Sequence, residues 1–166
     1  MITETRTASE ESLKVGRAIK IFHLIGSLER RGGTEEGMMM TIPRLSRDRF
    51  VNVVCSITNL MPSTKAEYQA QEIRAHTLGA KGKWDLRAVR RLLKLLQAER
   101  PDVLHCYLFH SNILGRLAGS LARVPVVVSS ERSIDHHSRS GIILNRLTSS
   151  LVTAVETNSE AGKEFV

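Results

Sequence analysis

Two adjacent glycines after the first apolar segment are the first residues that could bind an anion. Gly32 and Gly33 follow the apolar run 19–25 and a short loop, and a helix could begin directly after them. Because glycine has no side chain, backbone amides at such a helix N-terminus can approach a phosphate or a sugar hydroxyl. The pair could equally form only a turn. The glycine patterns of dinucleotide sites and P-loops are absent here, which disfavours both of those functions.

A histidine and an asparagine follow a later apolar run. His110 and Asn112 come directly after residues 103–108, at the start of another possible helix. His110 could contact a ligand there. Asn112 could do the same or, like Ser111, cap the helix by accepting a hydrogen bond from a backbone N–H. His105 lies inside the run, so we expect a core histidine with satisfied hydrogen bonds.

An acidic and a basic residue follow the next apolar run. Glu131 and Arg132 come shortly after residues 125–129. Such a pair could orient hydroxyl groups or act as acid and base, whereas on an ordinary surface it would be an ion pair of little energetic value. His136 and His137 are adjacent, so they point in different directions from a regular element, and no partner at a fixed spacing accompanies them. We therefore expect no metal site.

The runs that precede these polar groups are short and rich in β-branched residues, which predicts buried strands. The predicted strands are residues 19–25, 51–57, 73–78, 103–108, 125–129 and 153–157. Helical segments alternate with them from about residue 73, which indicates an α/β fold with a mostly parallel sheet and helices on both faces. Ligands of open α/β sheets bind at the carboxyl ends of the strands. We therefore expect Gly32, Gly33, His110 and Glu131 to cluster at that edge.

Local signals also predict where several helices begin and end. A helix could begin with Thr34 as its cap and end near Pro43, because proline lacks a backbone donor. Residues 61–63 have the composition of a loop. The clearest helix spans residues 85–99, with Asp85 as its cap and an apolar face formed by Leu86, Val89, Leu93 and Leu96.

Length and composition limit the classes of function. The 166 residues fit one domain, and 24 Lys plus Arg against 17 Asp plus Glu favour anionic partners without choosing among them. Aromatic residues make up only 4% and no recognised nucleic-acid motif is present, so we expect no nucleic-acid partner. Cys55 and Cys106 lie in different apolar runs and form no C-x-x-C pair. Buried, reduced thiols are therefore expected rather than a zinc or redox site.

The sequence also carries signals about location. Residues 1–17 form a polar lead-in without the apolar core of a signal peptide, and no apolar run approaches the roughly 20 residues of a membrane span. These features predict a cytoplasmic protein. The basic residues between Arg87 and Lys94 could contact an anionic membrane face, or they could simply form a solvated helix surface.

Several segments, in this order and spacing, resemble the N-terminal domain of glycosyltransferase family 4, the large retaining group with the GT-B fold. The resemblance covers about residues 18–166. It rests on residues 22–28, 32–35, 78–86, 100–105, 110–118, 124–132 and 158–161. It implies a Rossmann-like domain that mainly holds the acceptor, facing a second Rossmann-like domain that mainly holds the nucleotide-sugar.

The resemblance also implies roles for the residues found above. Gly32 and Gly33 would lie near the donor phosphates, and His110 and Asn112 would contact the acceptor. Many members have a histidine after strand five, near the transferring sugar. Glu131 or Arg132 would take its place here as a catalytic group. No metal or other cofactor is implied.

Two functions are consistent with the sequence. In the first, a sugar moves with retention from a nucleoside diphosphate sugar to a saccharide or a lipid-linked glycan, as in the synthesis of envelope polysaccharides. The chain ends at Val166, where the family would continue with another strand and the donor domain, so the 166 residues alone are expected to be inactive. In the second, the chain is a non-catalytic α/β binding module or a remnant of such an enzyme.

Overall fold

A single parallel sheet of six strands lies at the centre of the computed structural model, which describes residues 16–29, 32–82, 85–131 and 139–157. The order across the sheet is β3-β2-β1-β4-β5-β6, and each neighbouring pair is parallel. The prediction of a Rossmann-like, mostly parallel sheet is thus confirmed. The strands are Ile19–Ile25 (β1), Phe50–Ser56 (β2), Arg74–Thr77 (β3), Val103–Tyr107 (β4), Val126–Glu131 (β5) and Ala154–Thr157 (β6).

Helices cover both faces of this sheet, as the sequence predicted. They are Gly33–Thr41 (α1), Pro62–Ala70 (α2), Leu86–Glu99 (α3), Phe109–Leu121 (α4) and Arg139–Thr148 (α5). Short 3-10 turns follow at Ile42–Arg44 and Ser149–Leu151. Alternate residues of a strand point to opposite faces. One face packs on α3 and α4 through Leu24 and Cys106, and the other packs on α1 and α2 through Ile25 and Val54.

The direction of winding reverses between β1 and β4. The chain runs outward from β1 through β2 to β3, then crosses to β4 beside β1 and continues through β5 to β6. In sheets of this order, the crevice at the reversal point, beyond the carboxyl ends of the strands, is where ligands bind. The carboxyl ends of β1 and β4 border that crevice, and the carboxyl end of β5 is next to them.

Helix α3 has the predicted cap, and its predicted apolar face is confirmed at Leu96 and in part at Leu93, but not at Leu86. The Asp85 carboxylate accepts hydrogen bonds from the backbone N–H groups of Arg87 (2.9 Å) and Ala88 (3.3 Å). Leu86 is 76% exposed, so its place in the predicted apolar face is wrong. The residues that are buried follow a spacing of about four: Ala88, Leu92, Leu96 and Glu99. Leu86 is two residues before Ala88, which places it off that buried face.

Helices α1 and α2 correct two further expectations. Thr34 is not a cap, because α1 already begins at Gly33 and Gly32 occupies the cap position without a side-chain hydrogen bond. The helix does end before Pro43, as predicted. The loop predicted at residues 61–63 is wrong, since α2 begins at Pro62. Proline fits the first position of a helix, where its missing N–H would have no partner in any case.

Both cysteines are buried and unpaired, as the sequence predicted. Burial raises the pKa of each thiol to about 12, so both stay protonated near neutral pH. Within the described ranges, no group of three metal-ligating side chains is present. None of the helices there has the length and apolar character that crossing a membrane requires. His136 and His137 lie outside the described residues.

Candidate functional site

Three neighbouring strands bring the predicted site residues to one edge of the sheet. Gly32 and Gly33 follow β1, His110 is the second residue of α4 after β4, and Glu131 is the last residue of β5. Since β1, β4 and β5 are adjacent and parallel, all of these residues lie toward the carboxyl edge. Arg132, the other predicted catalytic residue, lies outside the described residues.

The glycine pair forms the start of α1. Gly32 has an extended backbone (φ −98°, ψ 178°), and neither glycine has a positive φ, so the backbone conformation does not require glycine at these positions. Among the described residues, a Cβ atom at Gly33 would meet nothing within 4 Å, whereas one at Gly32 would lie 2.7 Å from Glu35 Oε2. Both glycines are exposed, so the start of α1 lies at the surface. Glu35 and Glu36 in the first turn oppose an anion there.

The junction of β4 and α4 is strained. Leu108, the residue before α4, has φ 70° and ψ 160°, a combination that is rare for any residue except glycine and costs on the order of 1–3 kcal/mol. Its N–H donates to the Ser130 carbonyl oxygen at 3.1 Å, which ties the junction to β5. His110, just after it, is exposed, with its ring edge-on to Phe109. Strain of this kind is often retained at ligand sites.

Asn112 joins α4 to the end of β5 instead of capping the helix. Neither Ser111 nor Asn112 is a cap, which corrects the prediction, because the helix begins earlier and both side chains are buried in its first turn. Asn112 Nδ2 donates to the Ser130 carbonyl oxygen (3.2 Å) and to Glu131 Oε1 (2.8 Å). The structure thus pairs two residues that the sequence had assigned separately to the acceptor and to catalysis.

A buried arginine that sequence reasoning missed completes this group. Arg116 in α4 is 2% exposed. Its Nε donates to Ser129 Oγ (3.0 Å), and its Nη1 donates to Asn145 Oδ1 (2.5 Å) and Thr148 Oγ1 (3.3 Å). Its Nη2 lies 3.6 Å from Glu131 Oε1. Burial lowers the pKa of Arg116, and the Glu131 carboxylate opposes that shift.

A chain of hydrogen-bonded side chains crosses the opposite face of the sheet. His105 Nε2 lies 2.7 Å from Ser130 Oγ and His105 Nδ1 lies 3.0 Å from Tyr107 Oη, which confirms the expected satisfied histidine. Tyr107 Oη in turn lies 3.1 Å from His23 Nδ1. Burial lowers the pKa of His23 to about 4, so that ring is neutral near neutral pH. The whole chain runs from β2 to β6 through Asn52, His23, Tyr107, His105, Ser130 and Glu156.

A cavity of about 420 Å³ lies elsewhere, between α2 and the beginning of β3. Lys65, Arg74 and His76 contribute to its lining, but no predicted site residue does. The carboxyl edge, and not this cavity, therefore holds the candidate site.

The chain matches a known family and several solved structures. Residues 32–165 match the family model described as "Glycosyl transferase 4-like domain". No curated protein sequence matches the chain. Two structures of the Anabaena protein HepE, in complex with UDP and with UDP and glucose, superimpose with a TM-score of 0.70 at 18% and 19% identity. Each match covers 89% of this chain and 40% of that chain.

Two further structures broaden the comparison. The lipopolysaccharide outer core galactosyltransferase WaaB, in its apo form, has a TM-score of 0.62 at 17% identity and is covered over 41% of its length. UDP-GlcNAc 2-epimerase from Neisseria meningitidis, bound to UDP-GlcNAc, has a TM-score of 0.65 at 16% identity and is covered over 42%. Both matches cover 89% of this chain. Likeness at such identities shows the fold, and the chain spans about two fifths of each of these proteins.

The family model extends over most of the chain, and the order of the strands agrees with a GT-B N-terminal domain. The chain therefore belongs to the glycosyl transferase 4-like domain family.

Proposed function

We propose that this chain forms the acceptor-side half of a glycosyltransferase that moves a sugar, with retention, from a nucleoside diphosphate sugar to a saccharide or a lipid-linked glycan. Family membership supports the general class. The observation that carries the proposal is that β1, β4 and β5 are neighbouring parallel strands, so their carboxyl ends lie together beside the reversal point of the sheet. That is the position at which sheets of this order bind ligands.

The residues at this edge have separate roles in the proposal. The amides at Gly32 and Gly33 approach the donor diphosphate, since the N-terminus of α1 is open at Gly33. His110 contacts the acceptor. Asn112 contributes to the acceptor site through its hydrogen bond to the Glu131 carboxylate. As the glycosidic bond breaks, negative charge grows on the leaving diphosphate, where fixed amides and the cation of Arg132 would stabilise it. The Glu131 carboxylate would accept a hydrogen bond from the reacting acceptor.

A negative charge placed at Gly33 should weaken donor binding selectively. In the complete natural protein, we expect Gly33→Asp to raise the Kd for UDP-glucose at least about tenfold, because a carboxylate would face the diphosphate across a few ångströms. Nothing lies within 4 Å of a Cβ atom at this position, so the melting temperature should hardly change. Isothermal titration calorimetry and thermal unfolding measure the two quantities.

The matched control for that experiment is Gly82→Asp. Gly82 also has open space around its Cβ position but lies in the loop after β3, away from the reversal point. An unchanged Kd for Gly33→Asp, or an equal loss in both variants, would count against a donor site at Gly33. Conversion of UDP-N-acetylglucosamine to its 2-epimer without any acceptor would assign epimerase activity instead.

The basic face of α3 supports a second part of the proposal, which is contact with an anionic membrane that carries a lipid-linked acceptor. Arg87, Arg90 and Lys94 are exposed, and none of them forms a salt bridge within the described part of the chain. Each basic residue near an anionic surface contributes about 1 kcal/mol of binding. We expect Arg87→Glu with Arg90→Glu to reduce binding to vesicles containing phosphatidylserine at least about tenfold.

Co-sedimentation measures that binding, with pure phosphatidylcholine vesicles as the lipid control. The protein control is Arg49→Glu with Lys65→Glu, which changes the net charge equally at two exposed positions outside α3. Equal losses in the two double variants would show a general charge effect and would exclude α3 as the contact face.

A further inference from the structure

Arg116 connects three elements from a fully buried position. Its guanidinium reaches Ser129 on β5, and Asn145 and Thr148 on α5, while its own backbone lies in α4. Burying a cation is costly unless hydrogen bonds and an opposite charge compensate for lost water. The remaining nitrogen, Nη2, lies 3.6 Å from Glu131 Oε1, and the Glu131 carboxylate supplies the opposite charge.

The two oxygens of Glu131 differ in what surrounds them. Oε1 accepts a hydrogen bond from Asn112 Nδ2 and faces Arg116 Nη2. Oε2 has no hydrogen-bond partner among residues 16–29, 32–82, 85–131 and 139–157, and the side chain is 16% exposed. Glu131 is also the last residue of β5, at the carboxyl edge of the sheet. One oxygen is therefore fixed by protein groups, while the other is bonded to no group in the described part of the chain.

We infer that Arg116 is a positioning residue that fixes Glu131 so that Oε2 accepts a hydrogen bond from a hydroxyl group of a saccharide acceptor. The inference rests on the proposed function and adds the chemistry by which this edge recognises the acceptor. The guanidinium of arginine can fix a carboxylate in this way because it is planar and rigid and donates hydrogen bonds in several directions at once. A carboxylate held in this way accepts a charge-assisted hydrogen bond, which is stronger than a neutral one.

Saccharide binding by the complete protein, saturated with UDP, tests the inference. The probes are p-nitrophenyl glycosides of glucose, galactose and N-acetylglucosamine, with affinities measured by saturation-transfer NMR. We expect Glu131→Gln and Arg116→Met each to weaken binding of the preferred glycoside at least about tenfold. The Kd for UDP should stay within about twofold. The double variant should lose no more than either single variant, because both changes remove the same contact.

Two further variants separate positioning from stability. Val127→Ala removes buried volume from the same strand, and the Val127 side chain makes none of the hydrogen bonds around Glu131, so the change should lower the melting temperature and keep full glycoside affinity. Should Arg116→Met fail to fold, Arg116→Lys serves in its place. A lysine keeps the positive charge but lacks the planar guanidinium that donates to Ser129 and Asn145 at the same time. We therefore expect an intermediate loss of glycoside affinity.

Several outcomes would overturn the inference. They are full glycoside affinity in both Arg116 variants, an equal loss in Val127→Ala, or a parallel loss of UDP affinity. Absence of glycoside binding by the wild-type protein would also overturn it, because Oε2 would then have no saccharide to recognise. The donor experiment on Gly33 decides the proposed function separately from this result.

Discussion

Alanine at position 115 should lower the free energy of unfolding by about 2–3 kcal/mol, although it adds only one methyl group. A Cβ atom there would lie 2.1 Å from Cys106 Sγ and 3.3 Å from Leu24 Cδ2. Both neighbours are completely buried, so neither can move aside without disturbing β4 or β1. The helix preference for alanine over glycine, about 1 kcal/mol, offsets part of this cost. For a domain of typical stability, the loss is a large fraction of the total.

Urea unfolding followed by circular dichroism measures this loss, and two controls sharpen it. Gly82→Ala adds the same methyl group where nothing lies within 4 Å, so it should leave the unfolding midpoint nearly unchanged. Adding Cys106→Ala to the Gly115→Ala protein removes the clashing sulfur and should restore part of the lost stability. Equal midpoints for Gly115→Ala and wild type would show that α4 does not pack on β4 at this distance.

The strands were predictable because each carries its own signal. Runs such as 19–25 and 103–108 are short and apolar, because helices cover both faces of the strands that they form. Their strand conformation can therefore be predicted from the runs themselves. Helix α2 gave no such signal. Its buried contacts come from Thr64 and Tyr68 alone, one turn apart, and its proline suggested a loop. A helix in which only two of nine residues are buried, one of them a threonine, has no apolar stripe to detect.

The edge that holds the candidate site was predictable, but its internal contacts were not. Strand ends locate Gly33, His110 and Glu131, because parallel strands share one carboxyl edge. Arg116 instead resembles any basic residue of a solvated helix. It is buried because Ser129 and Asn145, 13 and 29 residues further along the chain, supply hydrogen-bond acceptors. Only the tertiary arrangement reveals such partners, so a local pattern gives no sign of them.

The 166 residues on their own should bind UDP-glucose only weakly, with a Kd above about 1 mM, and should catalyse no sugar transfer. The resemblance implies a donor held across a cleft by a second domain, and the chain covers 40% of the HepE chains crystallised with UDP. Amides at Gly32 and Gly33 would then contact a diphosphate from one side only. Water on the other side would raise the local dielectric and weaken each contact.

Catalysis of sugar transfer depends on both sides of the cleft even more than donor binding does. Fixing donor and acceptor in reacting geometry supplies roughly 7–11 kcal/mol of the catalytic effect, and a single wall cannot fix both. Calorimetry with UDP-glucose and an assay for released UDP measure binding and turnover by residues 1–166, with the Anabaena HepE protein as a positive control for UDP binding. Micromolar affinity together with turnover would contradict this prediction. In that case the amides of α1 and the group around Glu131 would have to hold donor and acceptor without a facing domain.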